Sequence, residues 1–164
     1  MDFNQGWSKM FNKVAIGGTF NVLHKGHKAL LTTAFMIAKS VDIGLASDEF
    51  ANRFRATQTR KYEDRKQKLI DFIEKFDKKY EIIEIHDSYG IATTDPKVDC
   101  IVVCEETLLR AEEINAIRFK KGLNKLVIVV VPIMLADDGK PISGERILNK
   151  EIDEDGKLVG SPVS

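Results

Sequence analysis

The chain has 164 residues, of which 43% are hydrophobic and 30% are charged, and its 25 basic and 25 acidic residues give a formal net charge of zero. This balance excludes a global field that would attract nucleic acid or an anionic membrane, so we expect neither as a partner. No apolar run reaches the ~18 residues of a membrane-spanning helix, and the first residues have no signal-peptide pattern. We therefore expect one cytoplasmic, monomeric domain over residues 1–164, with a core at about 13–150 and poorly packed, peripheral segments at 1–10 and 151–164.

Strand and helix signals alternate along the chain. Strands are predicted at 13–17, 42–46, 81–86, 99–103 and 126–131, and helices at 27–40, 62–80 and 106–121, with a short helix that starts near Ser143. The last two strands are continuous apolar runs, which are typical of strands covered on both faces of a parallel sheet. The predicted fold is α/β, a Rossmann-like doubly wound parallel sheet of about five strands with helices on both faces. Ligands of such a sheet bind beyond the carboxyl ends of its strands.

Residues 48–65 form the least regular stretch, so we predict a mobile loop that leads into the second helix. Few large apolar side chains occur in it, whereas five basic residues do: Arg53, Arg55, Arg60, Lys61 and Arg65. The loop is a candidate anion-binding segment, and a solvated surface is the alternative interpretation.

The two cysteines, Cys100 and Cys104, stand four residues apart on one predicted strand. This spacing separates them by about 13 Å along one face, whereas a disulfide requires Cα atoms within about 7 Å. We expect two free, buried thiols in a reducing compartment.

The most informative segment is 14–27, Val-Ala-Ile-Gly-Gly-Thr-Phe-Asn-Val-Leu-His-Lys-Gly-His. A predicted strand ends at Gly17 and Gly18, and His24 and His27 follow where a helix is predicted to begin. The N–H groups and dipole of a helix N-terminus bind anions, and glycines allow a phosphate to approach the backbone. The pattern is neither a Walker A loop nor the dinucleotide fingerprint, so it predicts phosphate binding by histidine and backbone together.

Two other interpretations of the histidine pair remain open, namely half of a metal site and a purely structural turn. His86 is the only other histidine, and no carboxylate stands at a metal-ligating spacing. The sequence also has no G-x-S-x-G elbow and no cysteine–histidine nucleophile pattern. Because phosphoryl transfer depends on positioning and charge stabilisation, it requires no such nucleophile. We therefore favour a phosphate-transfer site without a metal bound by the protein itself.

The string Gly-Gly-Thr-Phe-x-x-Leu-His-x-Gly-His resembles the signature of the nucleotidyltransferase superfamily whose HxGH motif activates the α-phosphate of a nucleoside triphosphate. Residues 140–147, Lys-Pro-Ile-Ser-Gly-Glu-Arg-Ile, stand where that superfamily has a second motif of the form I-S-S-T-R-I. Segments 87–96, 102–107 and 114–123 resemble D-x-Y-G-P-A-T-T-D-P, V-V-S-x-E-T and I-N-x-x-R…G-L. Together these motifs, over roughly residues 13–147, are similar to the archaeal-type phosphopantetheine adenylyltransferase family.

The resemblance implies that ATP and 4′-phosphopantetheine give 3′-dephospho-CoA and pyrophosphate, the penultimate step of coenzyme A synthesis, with Mg²⁺ held mainly by the ATP phosphates. It implies catalytic roles for His27, His24 and Thr19, with His27 as the main donor to the transition state and Thr19 positioning the attacking phosphate. Ser143 and Arg146 would bind the leaving pyrophosphate. The implied nucleotide contacts are Gly17, Gly18, Thr19, Phe20, His24, Gly26, His27, Glu105, Ser143 and Arg146, and the implied acceptor contacts are Thr19, Arg53, Arg55, Arg60, Lys61 and Tyr89.

The sequence departs from the family pattern at four positions, where the family has aspartate, proline, serine and threonine: Asn21, Ile91, Gly144 and Glu145. One alternative function is another HxGH nucleotidyltransferase, such as a glycerol-phosphate cytidylyltransferase or an FMN adenylyltransferase, because local residues do not distinguish ATP from CTP. Another is a catalytically weak, nucleotide-binding regulatory protein. Glu105 is equally explained as a helix N-terminal charge, and Arg118 as an ion-pair residue.

Overall fold

The sheet is the frame on which the rest of the chain is arranged, and the computed structural model describes residues 11–160. Its strands are β1 (Phe11–Gly18), β2 (Ala38–Ala46), β3 (Lys79–Ile85), β4 (Cys100–Cys104) and β5 (Val127–Val131). All pairs are parallel, and the strand order is β3-β2-β1-β4-β5. The chain moves outward from β1 on one side and then crosses to the other, so the carboxyl ends of β1 and β4 border a crevice. The predicted five-stranded α/β sheet is confirmed.

Helices connect the strands. Within residues 11–160 they are α1 (Lys25–Ile37), α2 (Asp48–Asn52), α3 (Tyr62–Ile73), α4 (Leu108–Lys120) and α5 (Gly144–Leu148). Short 3₁₀ turns occupy Glu74–Phe76, Gly90–Thr93 and Glu105–Thr107. None of the helices described is long and apolar enough to cross a membrane.

Both faces of the sheet are covered, each by different helices. On one face, Leu31 of α1 and Leu69 of α3 belong to the same buried cluster as Ile43 of β2. On the other face, Ala111 of α4 belongs to a cluster with Ile101 of β4. Successive residues of a strand point to opposite faces, so a strand between two helix layers needs apolar residues at every position. This explains the unbroken apolar run of β4, whereas β5 lies at the edge of the sheet and leaves Val127 and Val130 exposed.

The first predicted helix, 27–40, is too long at its end. It stops at Ile37, and β2 starts at Ala38 rather than at residue 42. The reason is the length of β1, which begins at Phe11 and pairs this residue with Ala38.

The second predicted helix, 62–80, is also too long. It ends at Ile73, a 3₁₀ turn follows, and Asp77 adopts a left-handed conformation with φ 49°. Phe76 therefore lies on the turn and Tyr80 on β3, although the Phe35 ring packs against both, with ring centroids 4.8 and 6.4 Å apart. Phe76 and Tyr80 belong to two different elements that both pack on Phe35. Their spacing in the sequence therefore resembles that of one helix face.

The predicted loop at 48–65 contains more regular structure than expected, since α2 and the first turn of α3 lie within it. Arg65 is buried, and its guanidinium donates hydrogen bonds to the carbonyl oxygens of Thr19 (2.9 Å), Ala46 (2.9 Å) and Arg60 (2.8 Å). The same group forms an ion pair with Asp48 at 3.0 Å. Arg65 therefore joins the carboxyl ends of β1 and β2 to α3 instead of belonging to a basic surface.

Most residues of the predicted poorly packed segment at 151–164 are exposed in the part that the structure describes, but the segment is attached to the core at Ile152. Ile152 is 1% exposed and packs in a small cluster with Ala136 and Ile142. The carbonyl oxygen of Glu154 accepts a hydrogen bond of 2.9 Å from the N–H of Lys25, the first residue of α1. Residues 151–160 therefore pack against the region that contains the histidines. The predictions for 1–10 and 161–164 lie outside the described residues.

Both cysteines are free thiols, as predicted, but only Cys100 is buried. Burial raises the pKa of the Cys100 thiol to about 12, so it stays protonated. Cys104 is half-buried at the end of β4, where its N–H donates to the Thr107 hydroxyl at 3.2 Å. Its position at the carboxyl end of the strand leaves it in the wall of a cavity.

Candidate active site

Two cavities open at the carboxyl ends of the strands. The first, which we call the histidine cavity, has a volume of about 260 Å³, and its lining includes Thr19, His24, His27, Arg55 and Ser143. The second, which we call the sheet cavity, has a volume of about 490 Å³ and lies over Ala15, Gly17, Asp42, Gly44 and Ala46. Thr19, Leu30 and Glu106 line both, so the two cavities are neighbours at these residues.

The turn after β1 has a conformation that requires small residues. A Cβ atom at Gly18 would lie 3.2 Å from Cε2 of Phe20, which is closer than most Cβ contacts. Phe20 is buried in a left-handed conformation with φ 49°, and its ring packs edge-on against the ring of His27 at 5.2 Å between centroids. Glycine at position 18 thus leaves room for the Phe20 ring, which packs against the His27 ring beside the histidine cavity.

His24 is the N-cap of α1. Its Nδ1 atom accepts hydrogen bonds from the N–H groups of Gly26 (3.1 Å) and His27 (3.4 Å). A Cβ at residue 26 would lie 2.9 Å from Cε1 of His24, which explains the glycine between the two histidines. Because Nδ1 acts as an acceptor, the hydrogen-bond network assigns the proton of neutral His24 to Nε2. His24 can therefore donate to an anion from Nε2.

His27 has the opposite tautomer. Its Nδ1 atom lies 2.9 Å from the carbonyl oxygen of Val22, which can only accept, so Nδ1 has the proton. The N–H of His24 lies 3.5 Å from the same Nδ1, a longer contact that this tautomer excludes as a hydrogen bond. Neutral His27 therefore has an unprotonated Nε2 and donates from it only as the imidazolium.

Both histidines are neutral in the substrate-free protein. Burial lowers the pKa of His24 to about 4. Burial first, and then the positive charges of His24 and Arg55, lower the pKa of His27 to about 3, against the hydrogen bond to Val22. The rings are stacked with centroids 3.7 Å apart, so a proton on one disfavours a proton on the other. A bound phosphate would reverse these effects, because an anion stabilises the imidazolium.

The C-terminal motif contributes a second helix N-terminus to the histidine cavity. Ser143 is the N-cap of α5, as predicted, and its Oγ accepts a hydrogen bond of 3.2 Å from the N–H of Arg146. Ser143 and Gly144 line the cavity. Glu145 is exposed and lies outside the lining, so the negative charge at this position points away from the anion site.

Arg146 does not lie where the sequence suggested. Its guanidinium donates to Glu151 (2.9 Å), to Asp138 and to the carbonyl oxygen of Pro141 (3.0 Å), and it lies outside the lining of the histidine cavity. The hydrogen bond from Arg146 lowers the pKa of the Asp138 carboxyl group. In this structure Arg146 therefore links the segments that position Ser143, and a pyrophosphate contact would require these ion pairs to exchange.

The predicted acceptor-binding residues are not grouped together. Of the four basic loop residues predicted to contact the acceptor, Arg55 lines the histidine cavity, whereas Arg53, Arg60 and Lys61 line neither cavity. Asn21 explains part of this arrangement, because its Oδ1 accepts a hydrogen bond of 2.8 Å from the N–H of Arg60. That bond fixes the backbone at Arg60 beside the β1–α1 turn, and the side chain of Arg60 is exposed.

Tyr89 lines the sheet cavity, as an acceptor contact would. Its hydroxyl donates to Glu113 at 3.2 Å, and the Arg110 guanidinium lies 5.2 Å above its ring. Glu105, in contrast, lines neither cavity, and its carboxylate accepts a hydrogen bond of 3.2 Å from the N–H of Ile133. The neighbouring Glu106 lines both cavities, so the carboxylate in the site is one residue later than predicted.

Arg118 and Asn115 are structural. Arg118 is fully buried and donates to the carbonyl oxygens of Asn124 (2.7 Å), Ala92 (2.9 Å) and Asp95 (2.8 Å), so it is neither an ion-pair residue nor a nucleotide contact. Asn115 exchanges two hydrogen bonds with the backbone of Leu126. These residues close the turns that connect α4 to the sheet.

Sequence reasoning missed two residues that line the sheet cavity, Asp42 and Arg110, and it selected Glu105 rather than the neighbouring Glu106. Asp42 had a visible signal, since it is a charged residue inside an apolar strand. Glu106 was also visible, because it is the glutamate of the segment that resembles V-V-S-x-E-T. Arg110 had no such signal, because exposed helix residues with the same local pattern are common.

Comparisons with known proteins identify the family of the chain. The model of the cytidylyltransferase-like family matches residues 15–150. The chain is 44% identical over 151 residues to the phosphopantetheine adenylyltransferase of Methanosarcina acetivorans, covering 89% of this chain and 95% of the relative. It is 39% identical over 151 residues to the enzyme of the same name from Methanothermobacter thermautotrophicus, covering 92% of each.

Among solved structures, a protein of unknown function from Archaeoglobus fulgidus superposes with a TM-score of 0.67 at 31% identity, covering 73% of this chain and 88% of that protein. Its fold is therefore shared over most of both chains. Together with the family model and the archaeal relatives, this establishes that the chain belongs to the cytidylyltransferase-like family and, within it, to the archaeal phosphopantetheine adenylyltransferases, which are nucleotidyltransferases.

Proposed function

We propose that this protein transfers the adenylyl group of ATP to 4′-phosphopantetheine and releases pyrophosphate, which makes 3′-dephospho-CoA. The observation that supports this most directly is the junction of the two cavities. Thr19 lines both, so a nucleotide in the histidine cavity and an acceptor in the sheet cavity would meet there. The names of the archaeal relatives point to the same pair of substrates.

The reaction is a displacement at the α-phosphorus of ATP. An oxygen of the acceptor phosphate forms the new P–O bond, the bond to the β-phosphate breaks, and pyrophosphate leaves with the electron pair. Thr19 would position the attacking phosphate at the junction. Because no bond to the protein forms, the protein contributes orientation and stabilisation of charge.

The charge on the transferring phosphate would be stabilised by the two histidines and by the dipole of α1. His24 donates from Nε2 in its neutral form, and the N-terminus of α1 adds the positive end of its dipole, although its first N–H groups already donate to His24 and to Glu154. His27 donates from Nε2 once the bound anion has raised its pKa enough to add a proton. We assign the largest catalytic effect to His27, because its proton is favoured most when the negative charge is largest.

The nucleotide contacts assigned here are those that line the cavities near the β1–α1 turn. They are Thr19, Phe20, His24, Gly26, His27, Arg55, Ser143 and Gly144, with Gly17 and Gly18 beside them in the sheet cavity. The leaving pyrophosphate would lie toward Ser143, at the N-terminus of α5.

Magnesium fits this site as part of the nucleotide complex. Within the described part of the chain, no three His, Cys, Asp or Glu residues converge on a point, and Glu106 is the one carboxylate in the lining of the histidine cavity. Mg²⁺ commonly binds to substrate phosphates with one or two carboxylates. We propose that ATP phosphates hold the ion with Glu106 as the nearest protein carboxylate, where the ion would neutralise phosphate charge.

The two substrates are the proposed partners, and we propose that the protein acts as a monomer in the cytoplasm. Residues of one chain line both cavities, so the site needs no second subunit. The free thiols Cys100 and Cys104 fit a reducing compartment.

Pyrophosphate release by the purified protein tests the proposed function. With Mg²⁺ and ATP, we expect release that depends on 4′-phosphopantetheine, and much less release when CTP replaces ATP. Equal turnover of CTP with glycerol 3-phosphate would indicate another activity of the superfamily. Binding of ATP without pyrophosphate release from any acceptor would indicate a regulatory protein.

A further inference from the structure

Asp42 is an unusual residue for the middle of a buried strand. It lies on β2, pairs in register with Ala15 of β1, and is only 4% exposed. Gly44 and Ala46 follow at alternate positions on the same face, and all four residues line the sheet cavity. The cavity surface around the carboxylate is therefore made of small or apolar groups.

The charge of Asp42 is only partly compensated. Lys13 lies 3.4 Å from its Oδ2 atom, and the same ammonium lies 3.6 Å from Asp95. Oδ2 makes no hydrogen bond to any described residue. One ammonium thus serves two carboxylates, which leaves a net negative charge at this end of the sheet cavity.

Burying a carboxylate costs free energy unless hydrogen bonds and opposite charges compensate for the lost water. If this position served only the packing of the strand, we would expect an apolar residue. Burial raises the pKa of Asp42, and the Lys13 ammonium acts in the opposite direction. The Oδ2 atom is fully buried, so a ligand donor would bind the part of the carboxylate that lines the sheet cavity and would stabilise its charge from that side.

The position matches the proposed acceptor. Gly18 of β1 pairs with Leu45, three residues beyond Asp42 along β2 and next to Thr19. Three residues of a strand span about 10 Å. An acceptor whose phosphate lies at Thr19 and whose arm follows the strand would therefore place the far part of that arm near Asp42.

We propose that Asp42 is a specificity residue of the sheet cavity, which accepts a hydrogen bond from an uncharged N–H or O–H donor on the acceptor arm and excludes acceptors whose arm ends in a carboxylate. The proposal rests on the proposed function, because it takes the sheet cavity as the acceptor site. It goes beyond that function because it names the Asp42 carboxylate as the group that distinguishes an acceptor with a neutral amide arm from an acceptor with an anionic arm.

The experiment compares two acceptors, 4′-phosphopantetheine and 4′-phosphopantothenate, whose arm ends in a carboxylate in place of the second amide. The variant Asp42→Asn keeps the shape and an acceptor oxygen but removes the charge. We expect its preference for 4′-phosphopantetheine, measured as the ratio of kcat/KM values, to fall by about tenfold or more, with the KM for ATP unchanged. Asp42→Leu also removes the acceptor atom, so the KM for 4′-phosphopantetheine should rise by about tenfold or more.

Asp95→Asn is the matched control, because it removes the other carboxylate beside Lys13 and lies outside the sheet cavity. We expect this variant to keep the wild-type ratio between the two acceptors. Equal ratios in wild type, Asp42→Asn and Asp95→Asn would overturn the proposal and leave the ion pair a purely structural one.

Binding of both acceptors, measured by calorimetry without ATP, separates this proposal from the proposed function. If wild type has no transfer activity but binds 4′-phosphopantetheine better than 4′-phosphopantothenate, and Asp42→Asn removes the difference, the specificity proposal stands and the activity fails. If wild type transfers adenylyl groups but Asp42→Asn changes neither the kcat/KM ratio nor the binding ratio of the two acceptors, the activity stands and Asp42 has no such role. Binding of neither acceptor would overturn the specificity proposal as well.

Discussion

His24 and His27 show how neighbouring residues of one type can have different chemistry. The Nδ1 atom of His24 accepts from backbone N–H groups, whereas the Nδ1 atom of His27 faces the carbonyl oxygen of Val22. The backbone therefore selects the tautomer of each ring and decides which ring nitrogen is available to a ligand. A neutral donor, His24, therefore lies beside a ring nitrogen of His27 that is unprotonated until a bound anion favours the imidazolium.

Asparagine at position 27 isolates the ligand-facing nitrogen, because its side-chain amide can still donate to Val22. We expect His27→Asn to lower kcat by roughly 10²–10³ while the KM for ATP changes little, since the lost donor acts mainly in the transition state. Steady-state kinetics and the melting temperature of the same preparation test this. His27→Gln, which returns an amide nitrogen near the position of Nε2, should have a kcat between those of the two proteins. A His27→Asn protein with a lower melting temperature and normal turnover would show that His27 is structural.

At the scale of elements, the segment between β2 and α3 is held by contacts between distant parts of the chain. Asn52 accepts from the N–H of Thr59 at 2.7 Å, Asn21 accepts from the N–H of Arg60, and Arg65 joins two strand ends. Among the basic residues of this segment, Arg55 is the one that lines the histidine cavity.

The basic residues of the segment should therefore differ in their effect on the KM for ATP. We expect Arg55→Ala to raise the KM for ATP by about tenfold, because a charged contact to a phosphate is lost. Arg53→Ala and Lys61→Ala remove the same kind of charge outside both cavities and serve as matched controls with near-normal KM values. Kinetics with each substrate varied in turn measure this. A larger change in Arg53→Ala or Lys61→Ala than in Arg55→Ala would contradict the assignment.

At the scale of the whole molecule, the buried histidines connect the active site to the stability of the fold. A histidine whose pKa is lowered in the folded state binds fewer protons there than in the unfolded chain, where its pKa is about 6.5. For His24 and His27, with folded pKa values of about 4 and about 3, the free energy of unfolding is therefore unaffected above pH 6.5 and decreases as the pH falls below it.

Between pH 6.5 and pH 5 we expect this loss to be on the order of 1 kcal/mol per pH unit for each of the two histidines, because each takes up nearly one proton on unfolding in this range. The double variant His24→Asn, His27→Asn keeps acceptor and donor groups for the backbone and should lose most of this pH dependence. Chemical denaturation at several pH values measures it. His86→Gln, at an exposed position, is the control and should behave as wild type. A double variant with the wild-type slope would show that other groups cause the effect.

The sequence by itself determined the elements whose causes are local. The apolar runs of β4 and β5 predicted parallel strands, and the glycines and histidines between β1 and α1 predicted a tight turn into a helix, because strand patterning, helix capping and turns depend on residues close in the chain. The predicted capping of α5 by Ser143 was confirmed for the same reason.

Only the tertiary structure decided what each charged side chain contacts. Arg65 and Arg118 were assigned to surfaces or ligands, yet both are buried on backbone carbonyl groups, with Arg65 and Thr19 46 residues apart and Arg118 and Ala92 26 residues apart. The role of Asp42 was missed because it depends on the sheet cavity and on Lys13 of the neighbouring strand. A charged side chain has the same local pattern whether it faces water, a carbonyl group or a ligand. Its role is therefore set by groups that folding brings together from distant positions.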